Sequence, residues 1–237
     1  MEIFFKDHFL SHELGKDVFF LKSPLANISK DNFPALPSLV YTKVATSAVE
    51  EFQLAESLGF NLIDTNIQLY RKKDGGLIKG SIPQDYSTRL SRPADSDYVG
   101  EIAQKNFHFS RFHLDPRISN EDADRIKQVW VENFFSGIRG DYMVVACYKG
   151  QPVGFSQILL KNNSELIIDL IAVDSRHQGI GLASAMISFL IVEIAPSLSA
   201  NTRIMVGTQI SNLPSLSLYQ KLGFEIISSN YVFHYHG

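Results

Sequence analysis

The residues best suited to chemistry lie where the apolar run Ile171-Ala172-Val173 meets Asp174-Ser175-Arg176-His177-Gln178-Gly179-Ile180-Gly181-Leu182-Ala183. Glycine lets backbone approach a ligand closely. The unpaired N–H groups and positive dipole end of a following helix attract phosphate oxygens. Arg176-x-x-Gly179-x-Gly181 therefore reads as an anion cradle. It is not the GxGxxG dinucleotide fingerprint, and it lacks the Lys-Ser/Thr ending of a P-loop. Both of those nucleotide readings are disfavoured.

Three further groups carry chemical potential. Asn212 and Tyr219 stand seven positions apart, two helical turns, and so share one helix face. Asn212 can serve as an N-cap, as a ligand contact, or as both. Arg111 stands among Phe107, Phe109 and Phe112. A cation beside rings can meet a diphosphate while a ring stacks on a base, or it can form a structural ion pair over core aromatics; both readings stand. His234 and His236 have the strand spacing of a metal pair, but no third ligand is evident in the sequence. Solvent exposure and no metal are expected there.

The elements that must hold these residues can be read from periodicity. Residues 97–106 predict a helix, and 107–113 an aromatic loop. Ser119 with Asp122 predicts a capped helix carrying Ile126, Val129, Trp130 and Phe134 on one face. Residues 142–148, 152–160 and 166–173 predict an antiparallel meander. A helix follows Gly181 and must stop near Pro196. Residues 203–209 predict a strand, 213–222 a helix, and 224–229 and 231–236 two closing strands. The order predicts an α+β domain with a mixed central sheet flanked by helices. Residues 58–66, Leu58-Gly59-Phe60-Asn61-Leu62-Ile63-Asp64-Thr65-Asn66, echo residues 222–230 at a constant offset of 164, after a helix predicted over 47–57. The first part of the chain therefore looks like a fragment of the second part's fold. It lacks a glycine loop, and Ala55 stands where the second copy has Tyr219. The expected organisation is a truncated, non-catalytic copy over 1–70, a polar linker over 71–90 and a catalytic domain over 91–237.

Together, Arg176-x-x-Gly179-x-Gly181 after an apolar strand and Asn212…Tyr219…Gly223-Phe224 resemble the two signatures of the GNAT acetyltransferases. The resemblance covers roughly residues 91–237. It implies acetyl-CoA as co-substrate, bound by Ile171, Ala172 and Val173, by Gln178, Gly179, Ile180, Gly181, Leu182 and Ala183, and by Asn212 and Tyr219. In that fold the strand ending at Val173 splays from its neighbour, leaving backbone groups for the pantetheine amides and an N–H for the thioester carbonyl. Tyr219 would protonate the departing thiolate. Asp169 would occupy the strand face where members can carry the base, with a water relay as the other route. The stretches Phe109-Ser110-Arg111-Phe112, Trp130-Val131-Glu132-Asn133 and Thr208-Gln209 are similar to the family's dTDP-fucosamine acetyltransferase branch. That branch acts on nucleotide-linked amino-deoxy sugars and has a truncated first GNAT-like portion. This likeness implies Arg111, Phe112 and Gln209 as substrate-binding residues.

Bulk composition is compatible with all of this. The chain has 237 residues, 45% hydrophobic and 20% charged, with a formal net charge of -3. It can bury a substantial core, and its charge balance does not point to a nucleic-acid or membrane-surface partner. A single cysteine, Cys147, permits no intrachain disulfide and suits a reducing compartment. A cytoplasmic location is expected, with a small-molecule substrate as partner and a homodimer left open.

Overall fold

The computed structural model describes residues 3–22, 24–26, 28–34, 37–73, 82–199 and 201–237. Hairpin chemistry builds one side of its sheet. Strand β6 (Tyr142–Tyr148) turns at Lys149 and Gly150 into β7 (Gln151–Lys161), which turns at Asn162 and Asn163 into β8 (Glu165–Val173). All four of these residues have positive φ, between 47° and 87°, the backbone that tight hairpin connections require. Alternation sends Met143, Val145 and Cys147 to one face and Val144 and Ala146 to the other. On the first face pack α3 (Ser96–Lys105) and α4 (Asn120–Phe135). On the second pack α5 (Leu182–Phe189) and α6 (Leu213–Lys221). Helix α4 is capped as its sequence predicts: the Ser119 hydroxyl accepts the Asp122 N–H at 3.0 Å. A π-helical turn, Leu190–Ile194, continues α5 and a 3₁₀ turn containing Pro196 ends it.

Towards the N-terminus lie β1 (Phe4–Lys6), α1 (His8–Leu14), β2 (Asp17–Leu21), β3 (Ser38–Ala45), α2 (Val49–Ser57) and β4 (Asn61–Lys72). The remaining strands are β5 (Tyr86–Leu90), β9 (Arg203–Gln209) and β10 (Glu225–His236). All ten form one sheet in the order β1-β2-β3-β10-β4-β9-β8-β7-β6-β5. It is mixed, with β2–β3 and β8–β9 parallel and the other pairs antiparallel. Among the described residues no helix is long and apolar enough to cross a membrane.

The echo in the sequence is a structural repeat. The 164-residue offset carries α2 onto α6 and β4 onto β10 residue for residue, and carries β3 onto residues 202–209, the span of β9 with one residue more. Asn66 pairs with Asn230, its own offset mate. The flanking pairs Ala45–Asn230 and Gln209–Asn66 are also mates. A local pseudo-two-fold axis therefore passes between β4 and β10, and each repeat inserts its last strand beside the other's first.

Three expectations change. The two closing strands are one, β10, because its backbone stays paired with β3 and β4 through Asn230. The expected linker 71–90 contributes to the sheet at both ends, through β4 and β5; residues 74–81 lie outside the described residues. Arg71 is buried and donates to the Leu222 carbonyl, so the start of that stretch is packed into the fold. Finally, β10 sits between β3 and β4, so the sheet runs without a break through the first repeat and the C-terminal part.

Candidate active site

The site begins where two strands part. Parallel pairing of β8 with β9 runs from Glu165–Arg203 to Ile168–Val206 and stops. Beyond it β8 follows β7, up to the pair Gly154–Val173, while β9 follows β4, up to Asn66–Gln209. The register on β7 skips Asp169, as Ile158 faces Ile168 and Gln157 faces Leu170. A bulge there bends β8 away at the point of separation. The result is a cleft of about 720 Å³ lined by residues 168–173 on one side and 206–209 on the other. The inward backbone edge of residues 169–173 has no strand partner on the β9 side.

The glycine loop closes one end. Asp174 accepts the Arg176 N–H at 2.9 Å and holds its guanidinium through two contacts of 3.0 Å. The Gln178 side chain donates to the Val173 carbonyl at 2.9 Å. Gly179 and Gly181 take φ of 79° and 89°, a left-handed conformation that side-chain-bearing residues rarely adopt, and Gly181 caps α5. Gln178, Gly179, Gly181, Leu182 and Ala183 line the cleft with Ile171, Ala172 and Val173. Ile180 packs against the core instead. His177 is half-buried. Its Nδ1 lies 2.9 Å from the Tyr86 hydroxyl and its ring 5.3 Å from Tyr148. Strand β5 thus braces the loop.

Helix α6 forms the opposite wall. Asn212 is both N-cap and lining residue, its Oδ1 accepting the Ser215 N–H at 3.2 Å. Tyr219, two turns on, is 2% exposed, with its ring 5.5 Å from Phe224. Its hydroxyl has no hydrogen-bond partner among the described residues. Burial pushes its pKa well above the ordinary tyrosine range, so the phenol stays protonated at neutral pH.

The remaining wall comes from the loop after α3 and from α4. Phe107, Phe109 and Ser110 line it, with Lys127 of α4. Ser110 Oγ lies 2.6 Å from His113 Nδ1, and His113 Nε2 lies 3.0 Å from Asp124, a chain that ties the loop to α4. Asp169 lines the cleft, but both its oxygens accept from Arg139 at 2.8 Å. Such a fork engages both oxygens that a base would use. Gln209 lines the cleft. The other two substrate candidates do not. Phe112 is 1% exposed within the core. Arg111 stacks on Tyr41 at 3.8 Å and on Phe112 at 4.6 Å, and donates to His234 Nε2 at 3.3 Å. Lys127 was not singled out by the sequence reading. The available signal was an ionisable residue beside Ile126 and three positions before Trp130, on the apolar face of α4.

The expectation that His234 and His236 are exposed fails, because a third residue converges on them. His234 is 0% exposed; its Nδ1 lies 2.6 Å from Asp115 Oδ2, and His236 Nε2 lies 2.7 Å from the same oxygen. The outer nitrogens face cations: Arg111 reaches His234 Nε2, and Lys16 lies 3.4 Å from His236 Nδ1. Both cations can only donate, so the outer nitrogens accept and the inner ones donate to Asp115. The set is a five-residue hydrogen-bonded chain. It fastens the end of β10 to the loop between α3 and α4 and to the residues after α1.

Comparison with known proteins agrees with this geometry. Residues 102–224 match the model of the acetyltransferase (GNAT) family. The chain is 29% identical over 168 residues to the spore coat polysaccharide biosynthesis protein SpsD of Bacillus subtilis, covering 68% of this chain but only 57% of that protein. It is 22% identical over 198 residues to a dTDP-fucosamine acetyltransferase of Escherichia coli, covering 82% of this chain and 80% of that one. A GCN5-related N-acetyltransferase from Sphaerobacter thermophilus shares the fold, with a TM-score of 0.61 at 14% identity over 84% of this chain and 60% of its own. With the matched family model spanning both the glycine loop and Tyr219, the chain belongs to the acetyltransferase (GNAT) family.

Proposed function

We propose that the cleft transfers the acetyl group of acetyl-CoA to a primary amine, and that the amine belongs to a nucleotide-linked amino-deoxy sugar of the dTDP-4-amino-4,6-dideoxyhexose type. The observation that carries the transfer is the parting of β8 from β9 beside a loop with two left-handed glycines. Acetyl-CoA, when bound, supplies a thioester carbonyl open to attack by the amine. The backbone edge of residues 169–173 offers N–H and C=O groups to an amide-bearing chain. The N–H groups around Gly179 and Gly181 suit a pyrophosphate, and an N–H near Val173 can polarise a carbonyl. Tyr219 supplies its phenolic proton to the departing sulfur as the new C–N bond forms and the C–S bond breaks. Arg139 occupies Asp169, so the amine proton leaves to water.

The acceptor follows from the relatives' names together with the exposed ring of Phe109 and that of Phe107 in the cleft wall, which suit stacking on a base or sugar. A nucleotide contributes binding energy remote from the reacting nitrogen and holds the amine in line. The test is thiol release from acetyl-CoA against a panel of amines. A dTDP-linked amino sugar should exceed the free amino sugar at least about 100-fold in kcat/KM, close to 2.7 kcal/mol. Equal turnover of the free sugar, a peptide or a polyamine would sink the sugar-nucleotide assignment.

The loop has its own test. No heavy atom lies within 4 Å of a Cβ built on Gly179, but its φ of 79° disfavours a β-branched side chain. Gly179→Val should therefore fold, distort the cradle and raise the acetyl-CoA KM at least about tenfold, some 1.4 kcal/mol. A folded variant with unchanged KM would remove the loop from the site.

A further inference from the structure

Lys127 is a buried cation without a counter-ion. It is 7% exposed and projects from α4 into the wall of the cleft. Its ammonium lies 4.7 Å from the Trp130 ring, 5.1 Å from Phe107 and 5.7 Å from Phe112. Faces of aromatic rings stabilise the charge, but they are poor acceptors for its three N–H donors. Among the described residues Lys127 has no hydrogen-bond or ion-pair partner. Asp169 lies within electrostatic range, but Arg139 holds both its oxygens, and Arg111 and Arg139 add like charge. A buried ammonium is stable only when its donors are met. An oxyanion in the cleft would meet them.

We propose that Lys127 forms an anion subsite in the acceptor half of the cleft and takes a phosphate of the acceptor's diphosphate. The phosphate identity rests on the sugar-nucleotide reading above; the vacant cationic site does not. Arg111, the cation that the sequence offered for this task, is committed to Tyr41 and His234 and does not line the cleft. Burial lowers the Lys127 pKa to about 8, which leaves it mostly charged at neutral pH. Phe107 lies against both the ammonium and the cleft, so a phosphate on Lys127 places a nucleoside beside an aromatic wall. The acceptor is thereby anchored at a point distinct from the glycine loop.

The test is calorimetric titration of dTDP, and separately of thymidine, into the full chain saturated with CoA, so that the glycine loop is filled. Wild type should bind dTDP more tightly than thymidine. Lys127→Met, an apolar side chain of similar length, should weaken dTDP at least tenfold and leave thymidine unchanged. Lys127→Gln, equally uncharged, carries the test if the Met variant no longer binds CoA. Unaltered dTDP affinity in a CoA-binding variant would overturn the subsite and leave the sugar-nucleotide reading standing. Equal weakening of dTDP and thymidine would also overturn it, because Lys127 would then shape the pocket without holding charge. A wild-type protein that binds CoA but no dTDP would remove the sugar-nucleotide reading, and the phosphate assignment with it.

Discussion

Tyr219→Phe is expected to lower kcat about 10²–10⁴-fold, the usual loss when a positioned acid is removed. The change deletes one oxygen and leaves the ring in the core against Phe224. The hydroxyl has no hydrogen-bond partner among the described residues, so no internal network is broken. Stability and acetyl-CoA affinity should therefore persist, and the loss should fall on kcat, where charge develops on sulfur. Single-turnover thiol release at saturating acetyl-CoA and acceptor would isolate the chemical step. A variant with wild-type single-turnover rate would reduce Tyr219 to a packing residue.

Asp115→Ala should be strongly destabilising, by about 2–5 kcal/mol, because each buried donor left without its acceptor costs about 1–3 kcal/mol. It leaves two imidazole N–H donors without their acceptor and removes the carboxylate that holds His234 against Arg111. At ~2–4 °C per kcal/mol for a chain of this size, Tm should fall by roughly 10 °C. Burial alone would raise the Asp115 pKa, but the hydrogen bonds from His234, His236 and the Arg117 N–H reverse this and hold it below the usual carboxylate range. Burial, with Arg111 nearby, lowers His234 to about 4, against about 6.5 in an unfolded chain. Between those values the unfolded chain binds more protons. The stability linked to His234 is therefore complete above pH 6.5 and is lost as pH falls toward 4, on the order of 3 kcal/mol. Urea midpoints across that range check both statements. A midpoint that stays flat from pH 6.5 to 4.5, or shifts by under about 1 kcal/mol in Asp115→Ala, would show that the chain of donors carries little.

Local chemistry was legible in the sequence and long-range pairing was not. Strands β6 and β9 begin and end where alternation and turn residues predict. The glycine loop and the Asn212–Tyr219 helix are contiguous motifs whose neighbours in space are also neighbours in the chain. Asp115 lies 119 residues before His234, so no spacing near the histidines could disclose their burial. The cage around Lys127 draws rings from α4 and from two positions in the preceding loop, a convergence that helical periodicity does not encode. Arg111 had two readings, and its place depends on Tyr41, in a strand the sequence reading did not identify. Asn230 looked like an interruption because it is polar, yet both of its neighbours in the sheet continue through it.

The pseudo-two-fold exchange has a consequence for how the protein is made. Strand β10 begins 153 residues after β4 ends, yet it is the only strand between β4 and β3. Until β10 is made, the edges of β3 and β4 that pair with it lack that partner. Such edges invite pairing with another chain. Their closure requires contacts of very long sequence separation, which are slow to form. During that interval the first repeat of one chain could accept the β10 of a neighbour, because the receiving slot is the same in every copy. The symmetry that completes the sheet within one chain therefore also provides a route to strand-swapped oligomers at high local concentration.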